Sequence, residues 1–166
     1  MVKISTMFVA LAIVTGAAAL TTPAFAVGNE NDESTASNPD YDSAVRAVKN
    51  EKYRDAIGYL KTVLADDPKN ADALNFMGYS HRKLGDFTKA ITYYTRALTV
   101  DPDHRGANEY LGEAYLEIND LANAELRLER LRAICGTGCE EYHELKSSVA
   151  GYKANRKPNQ SSRRRW

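Results

Sequence analysis

The chain has little of what catalytic and cofactor-binding proteins display in sequence. Its three histidines, His81, His104 and His143, are scattered through 166 residues and fall in no catalytic pattern. It has two cysteines and no Cys-x-x-Cys-His run, which excludes covalent haem attachment. Phosphate-binding loops and zinc-protease patterns are absent as well. Asp66-Asp67-Pro68 and Asp101-Pro102-Asp103 look like paired carboxylates, but both read as turns in which aspartate caps a helix and proline starts the next one. His81 falls on an apolar stripe, where a satisfied core histidine is expected. Neither an enzyme nor a cofactor is therefore expected.

What the chain does have is a recurring spacing. Gly78 and Gly112, Tyr53, Phe87 and Leu121, Ala56, Ala90 and Ala124, and Pro68 and Pro102 each repeat 34 positions apart. A period that long marks one supersecondary unit repeated, with units stacking to bury faces that none could bury alone. Within a unit, Leu74, Met77, Gly78, His81 and Leu84 follow steps of three and four and form one helical stripe. Phe87, Ala90, Ile91, Tyr94, Ala97 and Leu98 form a second. Gly85 and Asp86 interrupt them, glycine for the left-handed residue that ends one helix and aspartate as the cap of the next. Asn119 and Asp120 take those places one period later.

The unit resembles the tetratricopeptide repeat. Residues 71–102 carry the resemblance best, with Leu74, Met77, Gly78, Gly85, Phe87, Ala90, Tyr94, Ala97 and Pro102 at that family's size-restricted positions. The copy over 37–70 keeps Ala44, Tyr53, Ala56, Leu60, Val63 and Pro68, but sets Asp40 and Ser43 where large apolar residues usually stand. The copy from Arg105 keeps Leu111, Gly112, Tyr115, Leu121, Ala124 and Leu128, and replaces the small residue by Leu131 and the proline by Gly136. The resemblance implies an all-α, right-handed solenoid of three helix-turn-helix repeats with a concave groove. Residues 139–153, with Tyr142, Leu145, Val149 and Tyr152 on one stripe, read as a C-terminal capping helix started by a Thr137/Glu140 capping box.

Four segments are expected: a signal peptide (1–26), a flexible leader (27–37), the repeat domain (38–153) and a disordered basic tail (154–166). Lys3, the apolar run over 7–20 and the Ala24-Phe25-Ala26 site have the layout of a secretory signal cut after Ala26. The run is short for a membrane span, and no cysteine at the cut offers a lipid attachment point. The mature chain is thus expected in the periplasm or secreted, with no stable membrane insertion. In an oxidising compartment Cys135 and Cys139, which bracket Gly136-Thr137-Gly138, favour a disulfide at the corner before the cap. A redox pair, or a metal site shared with His143, is the alternative. The net formal charge is zero, yet all 22 acidic residues precede Tyr152 while Lys153, Arg156, Lys157, Arg163, Arg164 and Arg165 follow it. The body is acidic and the tail basic.

By the resemblance, partner-facing residues come from the first helix of each repeat. The candidates are Tyr41, Asp42, Val45 and Lys49, then Asn75, Phe76, Tyr79, Arg82 and Lys83, then Glu109, Tyr110, Glu113 and Glu117. Aromatics among mixed charges suit a peptide or protein partner. Some members of the family hold a terminal carboxylate with basic residues, and the glutamates of the third copy argue against that here. Nucleic acid is not expected as a partner, because three arginines make a small electrostatic footprint. An exported interaction module, adaptor or scaffold, is the leading expectation. A cysteine-dependent redox or metal-binding protein and a self-associating structural protein are the others.

Overall fold

The computed structural model describes residues 38–161; the expected signal peptide and leader lie outside them. Seven helices follow in order: α1 (Pro39–Lys49), α2 (Tyr53–Asp66), α3 (Ala71–Lys83), α4 (Phe87–Val100), α5 (Arg105–Glu117), α6 (Leu121–Cys135) and α7 (Glu140–Ser161). Among the described residues there is no strand. Helices α1 and α2, α3 and α4, and α5 and α6 pair as hairpins, each second helix packs on the next first helix, and α7 packs on both α5 and α6. First helices also touch along the array, α1 with α3 and α3 with α5. The molecule is an all-α helical-repeat solenoid, three hairpins closed by one helix.

The core follows the sequence period. Ala56, Ala90 and Ala124 are fully buried at one register, and Met77, Leu111 and Leu145 are buried at another. The tightest fit is at Gly78, where an added Cβ would lie 2.6 Å from atoms of the fully buried Tyr94 ring. Gly112 meets Leu145 of α7 in the same way, at 2.5 Å. One period further on, the glycine register holds Lys146, whose ammonium lies 5.6 Å from the Tyr142 ring centre. Thus α7 occupies the place of a fourth first helix, but lacks the bare backbone against which a second helix could pack.

The corners between paired helices share one design in two repeats. Gly85 and Asn119 adopt positive φ, 80° and 65°, and Asp86 and Asp120 then accept the backbone N–H groups of Lys89 and Asn123 at 3.2 and 3.1 Å. The first repeat departs from it. Glu51 is held at φ 57°, and Lys52 makes no side-chain cap. A side chain in that left-handed region costs about 1 kcal/mol, and a missing cap costs about as much.

Three local expectations need correction. Helices α3 and α5 are capped by Asn70 and His104, which accept from Ala73 and Ala107, and not by aspartates. Asp67 and Asp101 instead close the preceding turns on the N–H groups of Lys69 and Asp103. Their shorter reach to the next turn makes them turn residues. Helix α7 starts at Glu140, so Thr137 lies too far upstream to be its cap. Finally, α7 continues past Lys153 to Ser161, where no regular structure was expected. Tyr152, which donates to Asn119 at 3.1 Å, and Lys153, paired with Glu125, hold the helix at that point. Each further residue then adds one backbone bond to an existing helix. Residues 162–166 of the expected tail are not described.

Glu51→Gly and Lys52→Asp are each expected to stabilise the chain by about 1 kcal/mol. Urea unfolding of the two single variants checks this, and an unchanged midpoint in both would show that the first corner carries no such strain.

Candidate functional site

The first helices present their side chains in registers that step by the repeat period. Tyr41, Asn75 and Glu109 form one row; Asp42, Phe76 and Tyr110 a second; Val45, Tyr79 and Glu113 a third; Lys49, Lys83 and Glu117 a fourth. The rows do not have the same exposure. Asn75 (5%) and Glu109 (3%) are buried between neighbouring helices, whereas Phe76, Tyr79, Tyr110 and Glu113 are half-buried and Lys49, Lys83 and Glu117 exposed. Two residues expected on the partner-facing surface therefore belong to the packing beneath it. The signal for this was available in the first row, where one register holds Tyr, Asn and Glu and is polar only where the helix is covered.

Beside that row lie two groups of contacting rings, the second ending on the fully buried Tyr94. Tyr41 meets Phe76 edge-on at 6.0 Å, Tyr53 meets Tyr79 at 6.2 Å, Tyr79 meets Tyr110 at 5.1 Å, and Tyr110 meets Tyr94 at 6.2 Å. Arg82 is clasped among them. Its guanidinium lies 5.5 and 5.6 Å from the Tyr79 and Tyr110 ring centres, and its Nη2 is 2.8 Å from the Glu113 carboxylate. A planar cation held by two π faces and a carboxylate loses little by being ordered there. Lys83 also lies near the Tyr79 ring, at 5.5 Å. Lys49 sits exposed at the end of α1. The remaining groups predicted as a surface are thus assembled on one side, with Arg82 and Glu113 paired to each other.

The far end of this side is acidic. Glu109 from α5 faces Glu113 of its own helix and Glu141 and Glu144 of α7. Burial first, then a hydrogen bond with Glu144 and the neighbouring carboxylates, push its pKa up to about 9. It therefore carries its proton at neutral pH. Ser148 lies within hydrogen-bonding distance of Glu113, at 3.4 Å, and Arg105 lies 3.5 Å from Glu141. The Tyr41 and Tyr110 hydroxyls are likewise pushed up to about 12, mainly by burial, and stay neutral donors. His81 stacks on Tyr93 at 5.5 Å, and burial lowers its pKa despite Asp86 nearby. Its surroundings are those of a packed residue.

At the other corner, Cys135 and Cys139 lie with their Cα atoms 6.0 Å apart and their sulfurs at bonding distance. No group of three or more His, Cys, Asp and Glu residues that could hold a metal is found among the described residues. No helix among them is long and apolar enough to cross a membrane.

The fold defines a class, helical hairpins stacked on a fixed period. The tetratricopeptide repeat family model matches residues 41–81 and 77–136. The chain belongs to the tetratricopeptide repeat family. No curated protein matches it. Among solved structures it is similar to the Yersinia enterocolitica type III secretion chaperone SycD in complex with a peptide of the translocator YopD. There the identity is 21% and the TM-score 0.61, over 73% of this chain and 92% of that one. It is similar also to the second TPR domain of human RPAP3 in complex with an HSP70 peptide, at 20% identity and TM-score 0.61 over 69% and 92% of the two chains. The TPR2B domain of yeast Sti1, in complex with pHsp70, is 17% identical with TM-score 0.65 over 70% and 95%. These likenesses are of fold.

Glu109 supplies a test of the buried row. A carboxyl whose folded pKa lies near 9 rather than the usual 4.5 stabilises the fold while protonated. The folded state binds the extra proton, so this stability is complete below about pH 4.5, falls as pH rises and is lost once pH passes about 9. Glu109→Gln, which keeps the shape and a donor but has no proton to lose, is expected to match wild type near pH 4.5 and to exceed it increasingly up to pH 9. Thermal midpoints across that range read the difference, and parallel curves for the two proteins would show that Glu109 is ionised in the fold.

Proposed function

We propose that this chain is an exported protein-interaction module, an adaptor or scaffold that seats a peptide or protein partner on the face formed by α1, α3 and α5. The observation that carries this reading is a pair of ring contacts, Tyr41 with Phe76 and Tyr79 with Tyr110, half-buried and spread over three repeats. Rigid aromatic side chains give contact area at low entropic cost, and a peptide's apolar residues can lie on them. Lys49 and Lys83 at one end and Glu117 and Glu144 at the other give such a ligand a direction. Support also comes from the peptides bound by the SycD and RPAP3 domains, whose fold this chain shares. In this reading the Cys135–Cys139 pair is a structural disulfide that fixes the corner into α7.

A displayed library of random peptides, selected on the purified chain, supplies a probe ligand. Phe76→Ala combined with Tyr110→Ala is expected to weaken the selected peptide at least tenfold, or about 1.4 kcal/mol. Thr92→Ala, on the exposed side of α4, should leave binding unchanged. Equal affinity for the double variant, with its helix content intact, places the site elsewhere. Intact mass of the native protein tests the rest of the proposal: a chain starting at Val27 and two hydrogens lighter than the dithiol is expected. A mass that retains residues 1–26 removes the export reading, and two free thiols remove the disulfide.

A further inference from the structure

Resting on the reading of the first-helix face as a docking surface, we propose that its acidic end takes the Arg163-Arg164-Arg165-Trp166 segment of a second copy of this chain. The protein then associates tail to face.

The face changes character along the array. Its fourth row runs from Lys49 and Lys83 to Glu117, and its third from Val45 and Tyr79 to Glu113. Helix α7 extends the second row from Phe76 and Tyr110 to Glu144. Arg82 already occupies Glu113, and Arg105 lies against Glu141, while Glu117 and Glu144 stay exposed to solvent. The acidic end therefore has anionic capacity that its own cations do not use up. Beside it is the Tyr110 ring, which feels the Glu144 carboxylate and in turn lies against Tyr79.

The sequence contains one segment with the matching chemistry. Residues 163–165 are its only run of three consecutive Lys or Arg residues, and Trp166 is its only tryptophan. The structure also shows how this face holds an arginine: Arg82 lies between two tyrosine rings with a glutamate at 2.8 Å. A guanidinium arriving beside Tyr110 at Glu144 would find the same ring and carboxylate pairing, and an indole can lie on the remaining rings.

Reach limits which copy can supply the segment to Glu144, the inner carboxylate of the acidic end. Glu144 lies 17 residues before Ser161 on α7, about 25 Å back along the helix at 1.5 Å per residue. Trp166 lies five residues beyond Ser161, and so few residues span at most about 18 Å even when fully extended. The arginines reach less far still. The chain cannot fold its own tail onto Glu144, whereas a neighbouring molecule is under no such limit.

Trp166 provides its own reporter. On dilution of the full chain over about three decades of concentration, its emission is expected to move from a buried, blue-shifted position to a solvent-exposed one, and sedimentation from dimer or larger toward monomer. A chain ending at Ser161 should sediment as a monomer throughout. Glu144→Lys with Glu117→Lys should weaken association at least tenfold while helix content holds. The synthetic peptide NQSSRRRW should bind the shortened chain, less tightly as salt rises. Identical sedimentation of the full and shortened chains at every concentration overturns the proposal, as does failure of the peptide to bind. If NQSSRRRW fails while a library-selected peptide binds the same face, the interaction reading stands and the tail is not its ligand. If neither binds, both fall.

Discussion

The contact of Gly78 with the Tyr94 ring is the constraint from which the rest of the structure follows. A helix without a side chain at that point lets its partner come close enough for the ring to lie on backbone. That distance sets how the hairpin closes, and so which residues of α3 remain on the outside. Were the hairpin opened by a methyl group, Phe76 and Tyr79 would shift relative to Tyr41 and Tyr110, because interiors packed at crystal density pass on displacements rather than absorbing them. The candidate face is therefore held by a contact beneath it, since the same Tyr94 ring also lies against Tyr110, and the side chains that would meet a partner need not be the ones that fix its shape.

Much of this was legible in the sequence because the period acts on size. Positions that must be small, such as Gly78 and Ala90, and those that must be large, such as Met77 and Leu111, recur whatever the surface carries. The left-handed corners at Gly85 and Asn119 were legible for the same reason. The equivalent at Glu51 was hidden, since nothing in glutamate announces positive φ; the hairpin imposes it on a residue that would avoid it. In the candidate site, the rings and charges could be placed on first helices, but Asn75 and Glu109 were set on the wrong side of the surface. Polarity was read as exposure there. The fold instead buries a neutral amide and a protonated carboxyl at one register, where neither carries a charge into the interior. The end of α7 was missed because a helix tied down by Tyr152 and Lys153 can extend through residues with no periodic pattern of their own.

The electrostatics of the face arise from differences between copies rather than from any single motif. Where one repeat offers lysine the next but one offers glutamate, and Arg82 with Glu113 joins the two kinds of repeat across α3 and α5. A surface built from near-identical units thereby gains polarity along its length. Such polarity sets the orientation and register of whatever lies across it, while the rings supply contact area that is indifferent to direction.

Lys146 has a meaning beyond its place on α7. Stacked hairpins have no intrinsic stopping point: each new unit offers the surface on which another could dock, and open-ended growth is the hazard of every such architecture. Here the count ends at one position, where a bare backbone gives way to a long charged side chain lying along Tyr142. That side chain closes the register in which Gly78 and Gly112 admit their partners. Lengthening the molecule by design would begin not with more repeats but with returning that lysine to glycine.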